Sequence, residues 1–171
     1  MSVQIPLELV KPTLLEFINE TFTHVQGLYL DKGTTLYETL ETITAEEASR
    51  SAAPKSATIA AQVEHVRYFL DVLNDIITTQ NFEEKYNWRE IWDTVREVTP
   101  EQWEDVKRRL HESHDRVMTT INSFENWDRE YDIGGVICII AHTAYHLGGI
   151  RMTLSVIRSA ETSSQTSATA H

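Results

Sequence analysis

The sequence predicts an all-α protein, a four-helix bundle with short extra helices in the connections. Four long stretches repeat apolar residues at intervals of three and four, which is the period of an amphipathic helix. Strand-like alternation is scarce, and only six Gly and four Pro interrupt the 171 residues. Four amphipathic helices joined by fairly long connections are typical of a bundle.

The first long helix is predicted from about Pro12 to Leu30. Pro12 suits a first helical turn, because the N–H that proline lacks has no partner there. Gly33 is the predicted stop. The apolar stripe of this helix comprises Leu14, Phe17, Ile18, Phe22, Val25 and Leu28.

The connection after this helix contains further helical signals. Leu36 and Leu40 suggest one short turn of helix. Thr44 followed by Glu47 reads as a capping box, in which the two side chains bind each other's backbone N–H groups at a helix start. The Ser-rich stretch 51–56 is predicted to be loop.

The second and third long helices have clear starts. The second is predicted from Thr58 to about Thr79, and a short amphipathic segment follows at 88–98. Thr99, Pro100 and Gln102 then form a strong helix start, with Thr as N-cap, Pro at the first position and Gln at the third. The third long helix is therefore predicted to begin here.

The fourth long helix is predicted to begin at Asp132 or Gly134 and to run to about Ala160. The tail, residues 161–171, is rich in Ser and Thr. It has no large apolar side chain whose burial would offset the entropy of ordering, so we predict that it is disordered. Residues 1–160 are then a single domain, long enough to bury a core.

The composition excludes several classes of partner. The net charge is −11, whereas nucleic acids and anionic lipid surfaces attract clustered Lys and Arg. The sequence shows no leader and no apolar run of the ~18 residues that a membrane helix needs. The single Cys138 cannot form an internal disulfide and is interpreted as a small buried hydrophobe. We therefore predict a cytoplasmic protein without nucleic-acid or membrane partners.

Two of the seven histidines lie within the apolar stripe of the fourth helix. His142 and His146 are four residues apart and stack on one face. A buried imidazole pair is hard to explain as packing, because each acceptor nitrogen needs a partner and two charged rings repel. The spacing is a familiar metal-ligand geometry, although Thr143 stands where the zincin motif carries its Glu base. The alternative is hydrogen bonding to polar side chains of neighbouring helices.

His65, beside the apolar stripe of the second helix, is the predicted third ligand, with a boundary position as the alternative. His114 is the next candidate ligand because it falls at an inner position of the third helix. His111 and His114 otherwise read as solvated boundary residues. His24 has no partner in the sequence, and His171 ends the tail.

The segment Ala141–Arg151 resembles the fourth-helix signature of the DinB-like metal-dependent enzymes, in which two His four apart precede Leu-Gly-Gln-Ile or a variant. Residues 57–70 resemble the second helix of that family, which supplies a third His. The resemblance covers about residues 7–158. Gly149 is a departure, since many members carry Gln there. The positions that match the ligands of the family are His65, His142 and His146.

The resemblance implies a bundle that holds a divalent ion with three His, often as a homodimer, and some relatives are thiol-dependent transferases or isomerases. Three imidazoles leave coordination positions open, as in a catalytic site, and they suit Zn, Ni, Fe or Co. We predict a metal-dependent transferase or hydrolase acting on a small-molecule substrate, with a low-molecular-weight thiol as a candidate. The alternatives are a non-catalytic bundle for ligand binding or protein interaction and, disfavoured by the charge, a stress protein linked to nucleic acid.

No general base is evident in the sequence. Tyr145, next to the predicted ligands but off the inner stripe, is the candidate catalytic side chain. Glu64 and Asp71 near His65 are candidates to orient a ligand, with a solvated helix face as the alternative. The four Trp side chains either wall a pocket or pack in the core.

Overall fold

The structure is a computed structural model that describes residues 7–83 and 86–168. Its regular elements are all helical, and the described residues contain no strand. The prediction of an all-α protein is therefore confirmed. The helices are α1 (Leu7–Phe22), α2 (Leu36–Glu41), α3 (Ala45–Ala48), α4 (Ile59–Thr79), α5 (Glu90–Thr94), α6 (Pro100–Ser123) and α7 (Asp132–Ala168).

Helix α4 lies at the centre of the packing. It packs against both α6 and α7, and α1 packs against α7. Apolar side chains of α1, α4, α6 and α7 meet in one buried cluster, because each amphipathic helix can remove its apolar face from water only against another helix. The side chains of this cluster with the least exposure include Ile18, Phe22, Val66, Leu70, Leu110, Ile121, Ile139 and Ile150. Leu28, predicted in the stripe of the first helix, lies beyond the end of α1 and is exposed.

Threonine caps begin the helices where the sequence indicates them. The side chains of Thr44 and Thr99 each accept a hydrogen bond from the backbone three residues on and complete capping boxes. Thr58 caps α4, and Thr35 adds a capping box at α2. The predicted short helices in the connections are thus confirmed, with α5 at Glu90–Thr94 inside the segment expected to be amphipathic.

Helix α1 differs from its prediction at both ends. It starts at Leu7, so Pro12 lies inside the helix instead of in its first turn, and it ends at Phe22, eight residues before Leu30. Beyond Phe22 the chain turns through Gly27, whose φ of +85° favours glycine. The early end has a specific cause, the side chain of Glu20.

Glu20 is completely buried, and its carboxylate organises the loop after α1. One carboxylate oxygen accepts the backbone N–H groups of Gln26 at 2.8 Å and Leu28 at 3.0 Å. The other accepts those of Tyr29 and Leu30, both at 2.7 Å. In a continued helix these N–H groups would donate to backbone carbonyls four residues earlier. Here they donate to the Glu20 carboxylate, which therefore stabilises the loop instead of the helix. Burial by itself raises the pKa of Glu20, but the four N–H donors outweigh burial and lower the pKa to about 2.

Helix α7 continues beyond its predicted end at about Ala160 and runs to Ala168. The Thr162 hydroxyl donates to the carbonyl of Arg158 at 3.0 Å, and the Ser163 hydroxyl donates to that of Ser159 at 2.9 Å. Glu161 forms an ion pair with Arg50 from the loop before α4. Hydrogen bonds from hydroxyl side chains to the backbone accompany this continuation at Thr162 and Ser163, and residues 169–171 lie outside the described residues.

The segment Asp132–Ser163 of α7 is long and apolar enough to cross a membrane by length and composition, with a mean hydropathy of 1.5 over its best window. His, Thr, Gly and Arg interrupt its apolar run, so no continuous run of about 18 apolar residues marks it in the sequence. Core helices pass the same test, and 39% of this window is buried inside the protein. Its inner residues Val136, Ile139 and Ile150 belong to the core.

Two glycines of α7 give a matched test of this packing. A Cβ at Gly135 would lie 2.5 Å from Cγ1 of the buried Ile77, whereas a Cβ at Gly148 meets nothing within 4 Å. We expect Gly135→Ala to lower the free energy of unfolding by about 1–3 kcal/mol through overpacking. Gly148→Ala should raise it by up to about 1 kcal/mol, since alanine favours helix. Urea unfolding measures both, and equal effects of the two variants would contradict the packing of α7 on α4.

Candidate metal centre

Helices α4 and α7 bring three histidines together. His142 and His146 lie one turn apart on α7, and His65 comes from α4, which packs against α7. Each residue offers one ring nitrogen, and the three nitrogens all lie within 4.8 Å of one another. The ring centroids are 4.6 Å apart for the α7 pair, and His65 lies 5.0 Å from His142 and 4.8 Å from His146. The spacing read from the sequence thus corresponds to a real convergence in space.

The three imidazoles are enclosed and have no conventional partners. His65 and His146 are buried, and His142 is partly buried. Nδ1 of His65 and Nε2 of His142 are inaccessible to water and without a hydrogen-bond partner among the described residues. The expected alternative was that polar side chains of neighbouring helices satisfy these rings. Across residues 7–83 and 86–168 the structure shows no such hydrogen bond to them.

The surroundings hold all three rings in the neutral form, which is the form that binds metal. Burial lowers the pKa of His65. Burial, followed by the nearby His146 and His65, lowers the pKa of His142 to about 3. Burial and then His65 lower the pKa of His146 to about 4. At neutral pH each ring therefore presents a free electron pair.

Aromatic side chains form a wall around the cluster. Phe69 stacks on His142 with ring centroids 3.6 Å apart and an interplanar angle of 12°. Trp92 lies 4.5 Å from His65, and Trp88 approaches the same ring edge-on at 6.0 Å. Two of the four tryptophans thus line the site, as one alternative expected. The other two pack elsewhere: Trp103 is buried in the core with its indole N–H on the carbonyl of Ile43, and Trp127 packs against Phe124.

Tyr145 lies at the rim of the cluster. Its ring meets His146 edge-on at 5.1 Å, yet 76% of the residue is exposed. Tyr145 therefore lies next to the cluster, as its position in the sequence predicts. It is exposed because it does not lie on the inner face of α7.

The carboxylates near His65 in sequence bind arginines instead of histidines. Glu64 accepts hydrogen bonds from Arg67 at 2.8 Å and from Arg109 of α6 at 2.9 Å. Asp71 pairs with Arg67 and accepts from Arg116 of α6 at 2.7 Å. These contacts tie α4 to α6, so neither carboxylate orients a ligand in this arrangement.

Gln62 joins α4 to α7 beyond the three histidines, a contact that the sequence did not predict. It lies on α4 one turn before His65, and its Nε2 donates to the Thr153 hydroxyl of α7 at 3.5 Å. A Cβ at Gly149 would lie 2.9 Å from its Oε1. Gly149 therefore leaves room for the Gln62 amide. In the sequence, the glycine at position 149 is the single indication of this contact.

His114, the other candidate ligand, belongs to a different cluster. It is 5% exposed, stacks on Phe22 at 4.3 Å and shares a hydrogen bond of 3.0 Å between its Nδ1 and the Tyr37 hydroxyl. His111 stacks on the other side of Tyr37 at 3.7 Å. The expectation that His114 is solvated is wrong, because α1 and α2 cover it, and the structure does not bring it to the three-histidine cluster.

Burial lowers the pKa of His114 to about 4; the smaller effect of Asp115 raises this pKa, and that of His111 lowers it further. The folded protein then binds fewer protons than the unfolded chain between pH 6.5 and 4, so the free energy of unfolding falls as the pH falls through this range. We expect a loss of about 1 kcal/mol per pH unit from this ring. Urea unfolding at pH 6.5, 5.5 and 4.5 measures it. His114→Phe should reduce the slope, and an unchanged slope would contradict the assignment.

Cys138 is exposed, which corrects the interpretation of a buried thiol. It falls between Ile137, also exposed, and the buried Ile139. Neighbouring positions of a helix point about 100° apart, so apolar neighbours in sequence do not place a residue in the core.

Comparisons of the chain with profiles of known families, with curated proteins and with solved structures found no match.

Proposed function

We propose that the chain is a four-helix bundle of the DinB-like type, formed by α1, α4, α6 and α7, and that it is a metal-dependent enzyme. In this proposal His65, His142 and His146 hold one divalent ion, and a small molecule is the substrate. The observation that supports it best is the convergence of three neutral imidazole nitrogens within 4.8 Å.

The unpaired ring nitrogens favour a metal over a packing role. A buried polar atom without a partner costs about 1–3 kcal/mol. The cluster leaves Nδ1 of His65 and Nε2 of His142 in that condition. Binding of a cation by these two nitrogens would remove this cost, whereas a structural role leaves it uncompensated.

The set of ligands suits catalysis better than structure, because three protein ligands leave coordination positions for water or substrate. An imidazole-bound divalent ion such as Zn²⁺ lowers the pKa of a bound water or binds a thiol as thiolate. The aromatic wall of Phe69, Trp88 and Trp92 excludes water from one side of the cluster. In this proposal Tyr145, whose ring contacts His146 edge-on, hydrogen-bonds a bound substrate through its hydroxyl.

Gln62 supports the relation to DinB-like proteins in an indirect way. Many members carry Gln where this chain has Gly149. Here the amide of Gln62 occupies the space beside that position from the facing helix. We propose that Gln62, which lies one helical turn before His65 on α4, supplies the polar group that Gly149 lacks.

An apolar stripe on the outer face of α7 supports the homodimer implied by the resemblance. Ile137, Tyr145, Met152 and Val156 are all more than two-fifths exposed. Such a stripe is costly in water unless another surface covers it. The cytoplasmic location and the absence of nucleic-acid and membrane partners stay predictions.

Turnover assays test the enzymatic part of the proposal. The untagged protein is loaded with Zn²⁺, Ni²⁺ or Fe²⁺ and offered low-molecular-weight thiols with an electrophile, and in parallel an activated ester. We expect turnover by at least one loaded form, lost on His142→Ala and retained by His24→Ala, which removes an exposed histidine elsewhere. Tight metal binding without any turnover would favour the alternative of a non-catalytic binding protein.

A further inference from the structure

A cavity lies between α2 and the C-terminal half of α7, and none of the three clustered histidines lines it. Its volume is about 510 Å³. Five residues along a helix correspond to 500°, so Arg151 projects about 140° away from His146 around α7. The cavity therefore opens on a different side of the helix from the three imidazoles. Its lining residues are Gly33, Thr39, Thr42, Arg151, Leu154, Ser155, Arg158, Ser159 and Thr162.

The chemistry of this lining is unlike that of the chain as a whole. The protein carries 26 acidic residues and a net charge of −11. Among the described residues, the lining nevertheless holds two guanidinium groups and five hydroxyls, and no carboxylate. Glu47 pairs with Arg158 from outside this lining, so the unpaired Arg151 is the positive charge that makes the cavity a local site for an anion.

The positive charge of Arg151 is not paired with a carboxylate of the described residues and can therefore attract an anionic ligand. Its Nη1 donates to the Thr39 hydroxyl at 3.3 Å, and within residues 7–83 and 86–168 it forms no ion pair with a carboxylate. Arg158, two turns further along α7, is partly neutralised by Glu47 at 2.7 Å and also donates to the carbonyl of Thr42. The two arginines therefore differ. Arg158 is held by Glu47 of α3 and by the carbonyl of Thr42, whereas Arg151 can bind a ligand.

Three side chains that can donate hydrogen bonds, those of Thr39, Arg151 and Ser155, line this one cavity. Thr39 is 3% exposed and is fixed by packing, and since its oxygen accepts from Arg151 its own proton is free to donate. Ser155 lies one turn from both arginines on α7 and contributes a hydroxyl between them. A guanidinium fork with several nearby hydroxyls matches a group with three terminal oxygens better than the two oxygens of a carboxylate.

We propose that this cavity binds a small phosphate monoester, with the phosphate on Arg151, Thr39 and Ser155. The volume fits a small organic molecule. This site is separate from the metal centre, and the proposal does not depend on the enzymatic function.

Isothermal titration with inorganic phosphate and with glycerol 3-phosphate, at constant ionic strength, tests this proposal. We expect saturable binding of both at a stoichiometry of one. Arg151→Ala should raise the dissociation constant by about tenfold or more, because it removes charge-assisted hydrogen bonds. Arg151→Lys, which keeps the charge and loses the fork, should weaken binding less. Arg108→Ala is the matched control, since it removes an exposed positive charge from α6 outside the cavity.

Three results would overturn the proposal. One is the absence of saturable binding at millimolar phosphate. Another is an equal loss in Arg151→Ala and Arg108→Ala, which would indicate non-specific attraction. The third is tighter binding of succinate than of glycerol 3-phosphate, which would assign the cavity to carboxylates. Zinc affinity measured on the same Arg151→Ala protein should be unchanged, so failure here is distinguishable from failure of the metal site.

Discussion

Replacing His146 with alanine is expected to raise the dissociation constant for Zn²⁺ by more than about 100-fold. Loss of a residue that merely orients a ligand costs about 10–100-fold in affinity, and loss of a ligand itself costs more. His146 is buried, and its ring centroid lies 4.6 Å from that of His142 and 4.8 Å from that of His65, the two shortest of the three distances. Competition with a chromophoric chelator measures the constant.

Two control variants make this experiment specific. His24→Ala removes an exposed histidine, and His114→Ala removes a buried one from the separate cluster around Tyr37. Both should retain the affinity of the unmodified protein. A His146→Ala protein that is folded by circular dichroism and binds Zn²⁺ as tightly as the His24→Ala control would refute the three-histidine site.

Replacing Glu20 with glutamine is expected to destabilise the protein more than the same change at any exposed acid. The two side chains have the same shape, but the amide places an NH₂ donor against two backbone N–H donors that now have no acceptor. The loop 26–30 loses the groups that hold it against α1. Glu16→Gln, an exposed position on the same helix, is the control.

Thermal unfolding at neutral pH compares the two variants directly. We expect a large drop of the unfolding temperature for Glu20→Gln and no measurable change for Glu16→Gln. Because the pKa of Glu20 is lowered to about 2, its contribution is present above about pH 4.5 and is lost as the pH falls toward 2. Equal unfolding temperatures of the two variants would show that the buried carboxylate does not organise the loop.

Helix positions were the part of the fold that the sequence determined best. Apolar periodicity and threonine caps are local signals, and Thr44, Thr58 and Thr99 cap the helices that they were predicted to begin. The end of α1 was not predictable in this way. The carboxylate of Glu20 resembles any solvated acid in the sequence, and its role exists only once the chain folds back over it.

The candidate site shows the same division. His142 and His146 are coupled by the helix period, so their common face followed from spacing alone. The contacts of Glu64 with Arg109 and of Gln62 with Thr153 depend on which helices pack together, and no local pattern encodes that. Cys138 was misplaced for a related reason, since one position along a helix separates core from solvent.

The number of divalent ions bound per chain tests the central claim most directly. The untagged protein is equilibrated with excess Zn²⁺, freed of unbound ion by gel filtration and analysed for metal and for protein in the same sample. Three neutral imidazoles, each with one ring nitrogen within 4.8 Å of the others, predict about one ion per chain. A folded protein that retains no ion after this treatment would contradict the account.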